Sequence, residues 1–212
     1  MSEASIVTPD YWDEACKHLA KRDRVMRKLI PQLGEGRLQS RGDAFTTLAR
    51  SIVGQQISVK AAQSVWDRFI ALMPSGPAHV QPGGVLALST ECMRGAGLSG
   101  RKVEYLSDLA LHFQSEQVHV QQWQQMEDEA IVDELVAIRG IGRWTAEMFL
   151  IFHLMRPDVL PLDDLGLIKG ISVNYFSGNR CRAPRHAKSA TPGLRSVRWR
   201  PGTSGEAWTR CR

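Results

Sequence analysis

Apolar residues recur at three- and four-residue intervals in one segment after another between residues 11 and 155. No stretch of useful length alternates apolar with polar, and there is no internal repeat. That period belongs to amphipathic helices and leaves no room for half-buried strands. It predicts an all-α fold. Residues 11–33 read as one long helix, with Trp12, Ala15, Leu19, Val25 and Leu29 on its apolar face. Asp43 is placed to cap a second helix bearing Phe45, Leu48, Ile52 and Val53. A third starts near Ser58 and carries Ala61, Ala62, Val65, Trp66 and Phe69. Gln55 and Gln56 then fall inside helix, between apolar neighbours. Short helices are expected at 84–88 and 89–95, and longer ones at 101–114, 127–138 and 144–155, the last ending before Pro157. The Pro- and Gly-rich stretches 74–84 and 96–100 are loops.

Charge divides the chain at about residue 178. Residues 1–177 hold 18 Lys and Arg against 21 Asp and Glu, a net of −3. Residues 178–212 hold nine basic residues and one acid, Glu206, a net of +8. The overall +5 therefore lies wholly in the last 35 residues and says nothing about a nucleic-acid surface on the rest. With three prolines, four glycines and eight arginines, the segment 178–212 reads either as a basic disordered tail or as out-of-frame translation.

No apolar run is long enough to span a membrane, and the acidic N-terminus is unlike a signal peptide. The expectation is a cytoplasmic protein. Cys16, Cys92, Cys181 and Cys211 are too far apart to form a metal-binding motif and are expected to be free thiols.

One motif carries chemistry. Gly140-Ile141-Gly142 joins two apolar helical segments, and an acid pair, Asp163-Asp164, follows about twenty residues later. Glycines in a tight turn permit left-handed backbone and close approach. The N–H groups of Ile141, Gly142 and the residues after them open the following helix and have no partners within it. They suit a phosphate oxygen, held at the positive end of the helix dipole. Such a contact positions a nucleic acid without reading its sequence. An ordinary helix–helix turn is the other reading.

The surrounding sequence sharpens this. LVAIRGIGRWTAEMFLIF (135–152), then DVLPLDDLGLIKG (158–170), together with FTTLARSIVGQQISVKAAQSVWDRF (45–69) and GLSGRKVEYLSDLA (97–110), resemble the helix–hairpin–helix (HhH-GPD) DNA glycosylases. The resemblance is closest to the DNA-3-methyladenine glycosylase II branch. It covers about residues 11–177, the expected glycosylase domain (1–177), and stops at the tail. It implies a two-lobed helical fold with the lesion pocket between the lobes and with the C-terminal helices missing.

It further implies that Asp164 is the catalytic carboxylate, stabilising an oxocarbenium-like transition state while water displaces the damaged base. Asp163 is then a helix cap or a supporting group. Trp144 stands where strand-cutting members have a lysine that forms a Schiff base, so a monofunctional enzyme is implied. Trp144 and Met148, the latter where some members have tyrosine, are the expected base pocket. The expected DNA contacts are Gly140, Ile141, Gly142, Arg143 and Thr145 at the hairpin, Arg101 and Lys102 beside the 96–100 loop, and Gln55 and Gln56. Leu98 is the expected plug for the gap left by the flipped nucleotide. The carbonyls of Val136, Ile138 and Ile141 are the expected ligands of a structural monovalent cation; no other cofactor is implied. The expected partner is double-stranded DNA bearing alkylated bases, bound by a monomer. Two alternatives stand beside this reading: a non-catalytic module that binds damaged DNA, and a truncated, inactive glycosylase.

Overall fold

The computed structural model describes residues 8–34, 36–40, 42–74, 76 and 80–176. Among them are helices and no β-strand. In chain order these are α1 (Trp12–Arg22), α2 (Arg24–Leu29), a 3-10 turn (Ile30–Leu33), α3 (Ala44–Gly54), α4 (Val59–Ile70), α5 (Pro82–Leu86), α6 (Thr90–Gly95), α7 (Gly100–Gln114), α8 (Asp128–Val136), α9 (Arg143–Phe152) and α10 (Leu165–Tyr175). The 178–212 tail lies outside the described residues, as do Cys181 and Cys211; Cys16 and Cys92 are free thiols.

The sequence expectation of one helix over 11–33 is corrected. Asp23 is extended, and its carboxylate accepts the N–H groups of Val25 and Met26 at 2.7 and 2.9 Å. By capping α2 in this conformation, Asp23 also terminates α1. Elsewhere caps fall where the sequence places them: Asp43 Oδ1 accepts the N–H of Thr46 at 2.8 Å, and Ser58 Oγ accepts that of Ala61 at 3.3 Å.

The described chain divides into two compact units. Residues 38–155 form the first, built around α7, which packs against α3, α5 and α6. Helix α3 also meets α4 and α9, and α8 packs on α9. Leu48, Ile52, Val53, Phe69, Val85, Leu106, Leu109, Ile131, Leu135 and Leu150 are fully buried there. Each such side chain contributes about 1.5–3 kcal/mol of hydrophobic stabilisation. A file of aromatic rings runs through this core: Phe45 to Phe113 at 5.2 Å, Phe113 to Trp123 at 6.5 Å, and Trp123 to Phe149 at 5.4 Å. The Trp123 indole N–H donates to Glu134 at 2.8 Å, so its polar end is satisfied.

The second unit comprises residues 9–37 and 156–176. Its core is sparse. α1 and α2 bury no residue fully, and α10 buries only Ser172. Leu19, Leu33, Leu160, Leu165 and Val173 are 41–82% exposed. A polar tie closes it: the Tyr175 hydroxyl donates to Asp23 Oδ2 at 2.9 Å. Burial and the Asp23 carboxylate push the Tyr175 phenol up to about 12.

A hairpin without a side-chain cap, and a capping aspartate

The first candidate site is the turn between α8 and α9. Gly140 has φ +87, and a Cβ there would lie 2.2 Å from the Tyr105 ring. Both conditions require glycine. Two helices fix the turn from outside. From α7, Asp108 Oδ2 accepts the Arg139 N–H at 2.8 Å, and Tyr105 packs against Gly140. From the end of α3, Gln55 Nε2 donates to the Gly140 carbonyl at 2.8 Å. Within the turn, the Ile141 N–H donates to the Ile138 carbonyl at 3.1 Å.

That last bond corrects one expectation. The Ile141 N–H belongs to the turn, and its buried side chain to the core (3% exposed), so the outward donors begin at Gly142. Helix α9 opens on Gly142 with no side-chain cap, and the first intrahelical bond is Ala146 N–H to the Gly142 carbonyl. The N–H groups of residues 142–145 thus have no acceptor within the helix. The space around Gly142 Cα is open.

The cations beside the turn are already engaged. The Arg143 guanidinium meets Glu129 at 2.9 and 2.5 Å and the buried Glu147 at 3.0 Å. The hydrogen bonds it donates to Glu129 hold its pKa above the usual arginine value. Arg139 pairs with Glu104 at 3.3 Å. The Arg143 side chain, one of the expected DNA contacts, therefore pins α9 to α8. What the turn has to offer an anion is backbone N–H groups and the helix dipole.

Lys102, another expected DNA contact, also has a partner within the fold. Its ammonium donates to the Val53 carbonyl at 2.7 Å at the end of α3, and burial lowers its pKa. Arg101 beside it is exposed. Leu98, the expected plug, is 3% exposed and belongs to the core. Gln55 and Gln56 do not lie inside a helix: Gln55 ends α3, and Gln56 adopts a left-handed φ of 58 in the exposed turn before α4. Trp144 is 49% exposed, so it is no core tryptophan. Met148, half-buried, lies one turn further along the same face of α9. Thr145 is half-buried in the first turn.

Of the expected cation ligands, the carbonyl of Val136 belongs to the last residue of α8, and those of Ile138 and Ile141 follow in the turn. That of Ile138 accepts one N–H and keeps a second lone pair. Neutral peptide oxygens of this kind suit a weakly charged cation. Among the described residues no group of three His, Cys, Asp or Glu side chains could hold a metal ion.

The second candidate site lies in the other unit. Pro161 is buried and the Asp164 N–H donates to its carbonyl at 3.0 Å, making a turn that leads into α10. Asp164, not Asp163, is the cap: its Oδ1 accepts the Leu167 N–H at 2.6 Å. Asp163 is exposed ahead of it. A carboxylate at this place faces the positive end of α10 with one oxygen committed to the helix.

Residues 49–191 match the HhH-GPD superfamily of base excision DNA repair proteins. The chain belongs to that superfamily. The match runs past residue 177, the domain end expected from sequence. This HhH-GPD chain is 32% identical over 157 residues to DNA-3-methyladenine glycosylase 1 of Schizosaccharomyces pombe, covering 72% of this chain and 68% of that one. The crystal structure of a DNA-3-methyladenine glycosidase from Bacillus halodurans superposes with a TM-score of 0.69 at 34% identity, over 82% of this chain and 78% of that one. A Schizosaccharomyces pombe 3-methyladenine DNA glycosylase in complex with abasic DNA superposes with a TM-score of 0.64 at 28% identity, over 81% and 83%. The all-α architecture of this HhH-GPD member agrees with these neighbours. Tyr105 and Asp108, which seat the hairpin, leave no trace in local sequence because their partners lie more than thirty residues away.

Proposed function

We propose that this chain is a monofunctional DNA glycosylase that hydrolyses the N-glycosidic bond of alkylated purines, chiefly 3-methyladenine, in double-stranded DNA. The observation that carries the reading is the α8–α9 hairpin: a helix opening on Gly142 with no side-chain cap, held rigidly from α3 and α7. Its outward N–H groups hold a backbone phosphate, so the grip is indifferent to base sequence. A monovalent cation on the carbonyls of Val136, Ile138 and Ile141 would stiffen the turn and add positive charge facing the same phosphate.

Asp164 supplies the reacting carboxylate. Its Oδ1 is oriented by the Leu167 N–H. As the base departs, positive charge spreads over the sugar, and a fixed carboxylate stabilises it without reorganisation. Water completes the hydrolysis. Trp144 offers an exposed indole face to a cationic methylated base, an attraction of roughly 1–2 kcal/mol when desolvated. No lysine stands there to form a Schiff base, so strand cleavage is not part of the chemistry. Gln56 and Ile57, exposed in a turn tied to the hairpin, fill the stack in place of the buried Leu98. The protein acts as a monomer.

The sparse core of the unit bearing Asp164 favours a second reading, in which the hairpin unit binds DNA without turnover. One assay separates them: release of methylated base from methylated duplex, with Asp164→Asn as control. Release by the parent chain and loss of about 10²-fold or more in the variant are expected, on the scale of removing one transition-state electrostatic group. Equal release by both would refute the role of Asp164. Binding without release by the parent would select the second reading.

A further inference from the structure

We infer that Gln55 is a positioning residue that aims the hairpin's phosphate donors, so that the α3–α4 turn and the hairpin act as one DNA-contacting element. The inference rests on the hairpin reading above. The Gln55 carboxamide donates to the Gly140 carbonyl at 2.8 Å across 85 residues of sequence. The peptide between Gly140 and Ile141 is thereby held at both edges, the carbonyl by Gln55 and the N–H by the Ile138 carbonyl. Rotation of that peptide would redirect the next one, whose N–H, on Gly142, is the first outward donor. Tyr105 resists rotation from the other side.

The turn that supplies Gln55 is itself unusual. The Gln55 N–H closes α3 on the Ile52 carbonyl. Gln56 comes next at φ 58, a conformation costly for a residue with a side chain, and such strain concentrates at functional sites. Ile57 and Val59 are 39% and 89% exposed. The amide bond therefore couples an exposed, strained turn to the phosphate grip.

The test compares Gln55→Met, nearly isosteric but without a donor, with Gly142→Asp. The latter puts a carboxylate at an open N-cap position, where it occupies the helix N–H groups and repels phosphate while preserving the helix. Affinity for a duplex containing a stable abasic-site analogue is measured over a range of salt, with kcat, KM and melting temperature. For Gln55→Met, Kd and KM should rise roughly three- to tenfold, the span expected for one lost hydrogen bond. The parent's kcat should be kept, and so should its salt slope, because no cation is removed. In the Gly142→Asp background Gln55→Met should add nothing, since the grip it aims is already closed. Should the Met variant melt early, Gln55→Leu, which also has no N–H to give and adds no charge, should show the same loss in Kd.

If Gly142→Asp weakens binding while both Gln55 variants bind as the parent does, the Gln55 inference is overturned and the hairpin reading survives. If Gln55→Met is equally harmful in both backgrounds, Gln55 acts elsewhere and the inference falls. If Gly142→Asp binds DNA normally, the hairpin reading falls and takes the inference with it.

Discussion

At the scale of single residues, the most consequential side chain is Trp144, because its exposure removes it from the core. At 49% exposed, Trp144, in the second position of α9, keeps about half of its surface open to solvent. Replacing it with leucine keeps an apolar side chain on the half-buried position, so any loss of stability should stay within the usual range of about 0.5–3 kcal/mol and leave the chain folded. Release of a cationic base such as 3-methyladenine should fall about tenfold or more, for a cation–π term of roughly 1–2 kcal/mol. Release of a neutral lesion should fall less. Parallel release assays on the two lesions check this, and equal losses would remove the cation–π argument. Residue types were legible in the sequence here; residue environments were not. Gly140 could be read as glycine-requiring, but its second reason, the Tyr105 ring, comes from another helix. Lys102 has the sequence marks of a phosphate ligand, yet the Val53 carbonyl lies 2.7 Å from its ammonium.

At the scale of elements, the helical period located nearly every helix, because burial on one face leaves a local trace in sequence. Boundaries set by a single cap were less legible. Asp23 ends α1 and starts α2, and Gln56 breaks an apolar run through its φ, which no pattern of side chains reports. Between elements, α3 and α9 are joined by His153. Its ring stacks on Phe149 at 4.5 Å, and its Nδ1 lies 3.2 Å from Thr47 Oγ1. Burial lowers its pKa, with Asp43 opposing weakly. The unfolded chain's imidazole titrates near 6.5, above the folded value. Below about pH 6.5 the unfolded state therefore binds more protons, and stability is lost as pH falls. The parent should melt lower at pH 5.5 than at pH 7.5, and His153→Gln, which cannot charge, should show a smaller drop. Thermal melts at the two values decide it; an equal drop would place the acid sensitivity elsewhere.

At the scale of the whole molecule, burial is distributed unevenly, and this bears on catalysis. Residues 38–155 hold a continuous core with Leu48, Leu106, Leu135 and Leu150 at its centre. The unit bearing Asp164 has α10 with Leu165 at 82% and Val173 at 56% exposed, and Tyr175 ties that helix to Asp23. Local opening free energy follows buried apolar contact, so the two units should differ in protection. Amides of α3, α7 and α9 should exchange slowly, near the global limit. Those of α10 should exchange much faster under the same conditions. Duplex DNA carrying an abasic-site analogue should slow exchange in α10 if Asp164 engages the sugar, because a ligand bound only to the ordered state stabilises it by mass action. Hydrogen exchange followed by mass spectrometry, with and without that duplex, reads both effects. Uniform protection in the free protein would contradict the uneven core. Protection by DNA confined to residues 136–148 would mean that the hairpin grips the strand without recruiting the carboxylate, and would turn the functional reading from hydrolysis to binding.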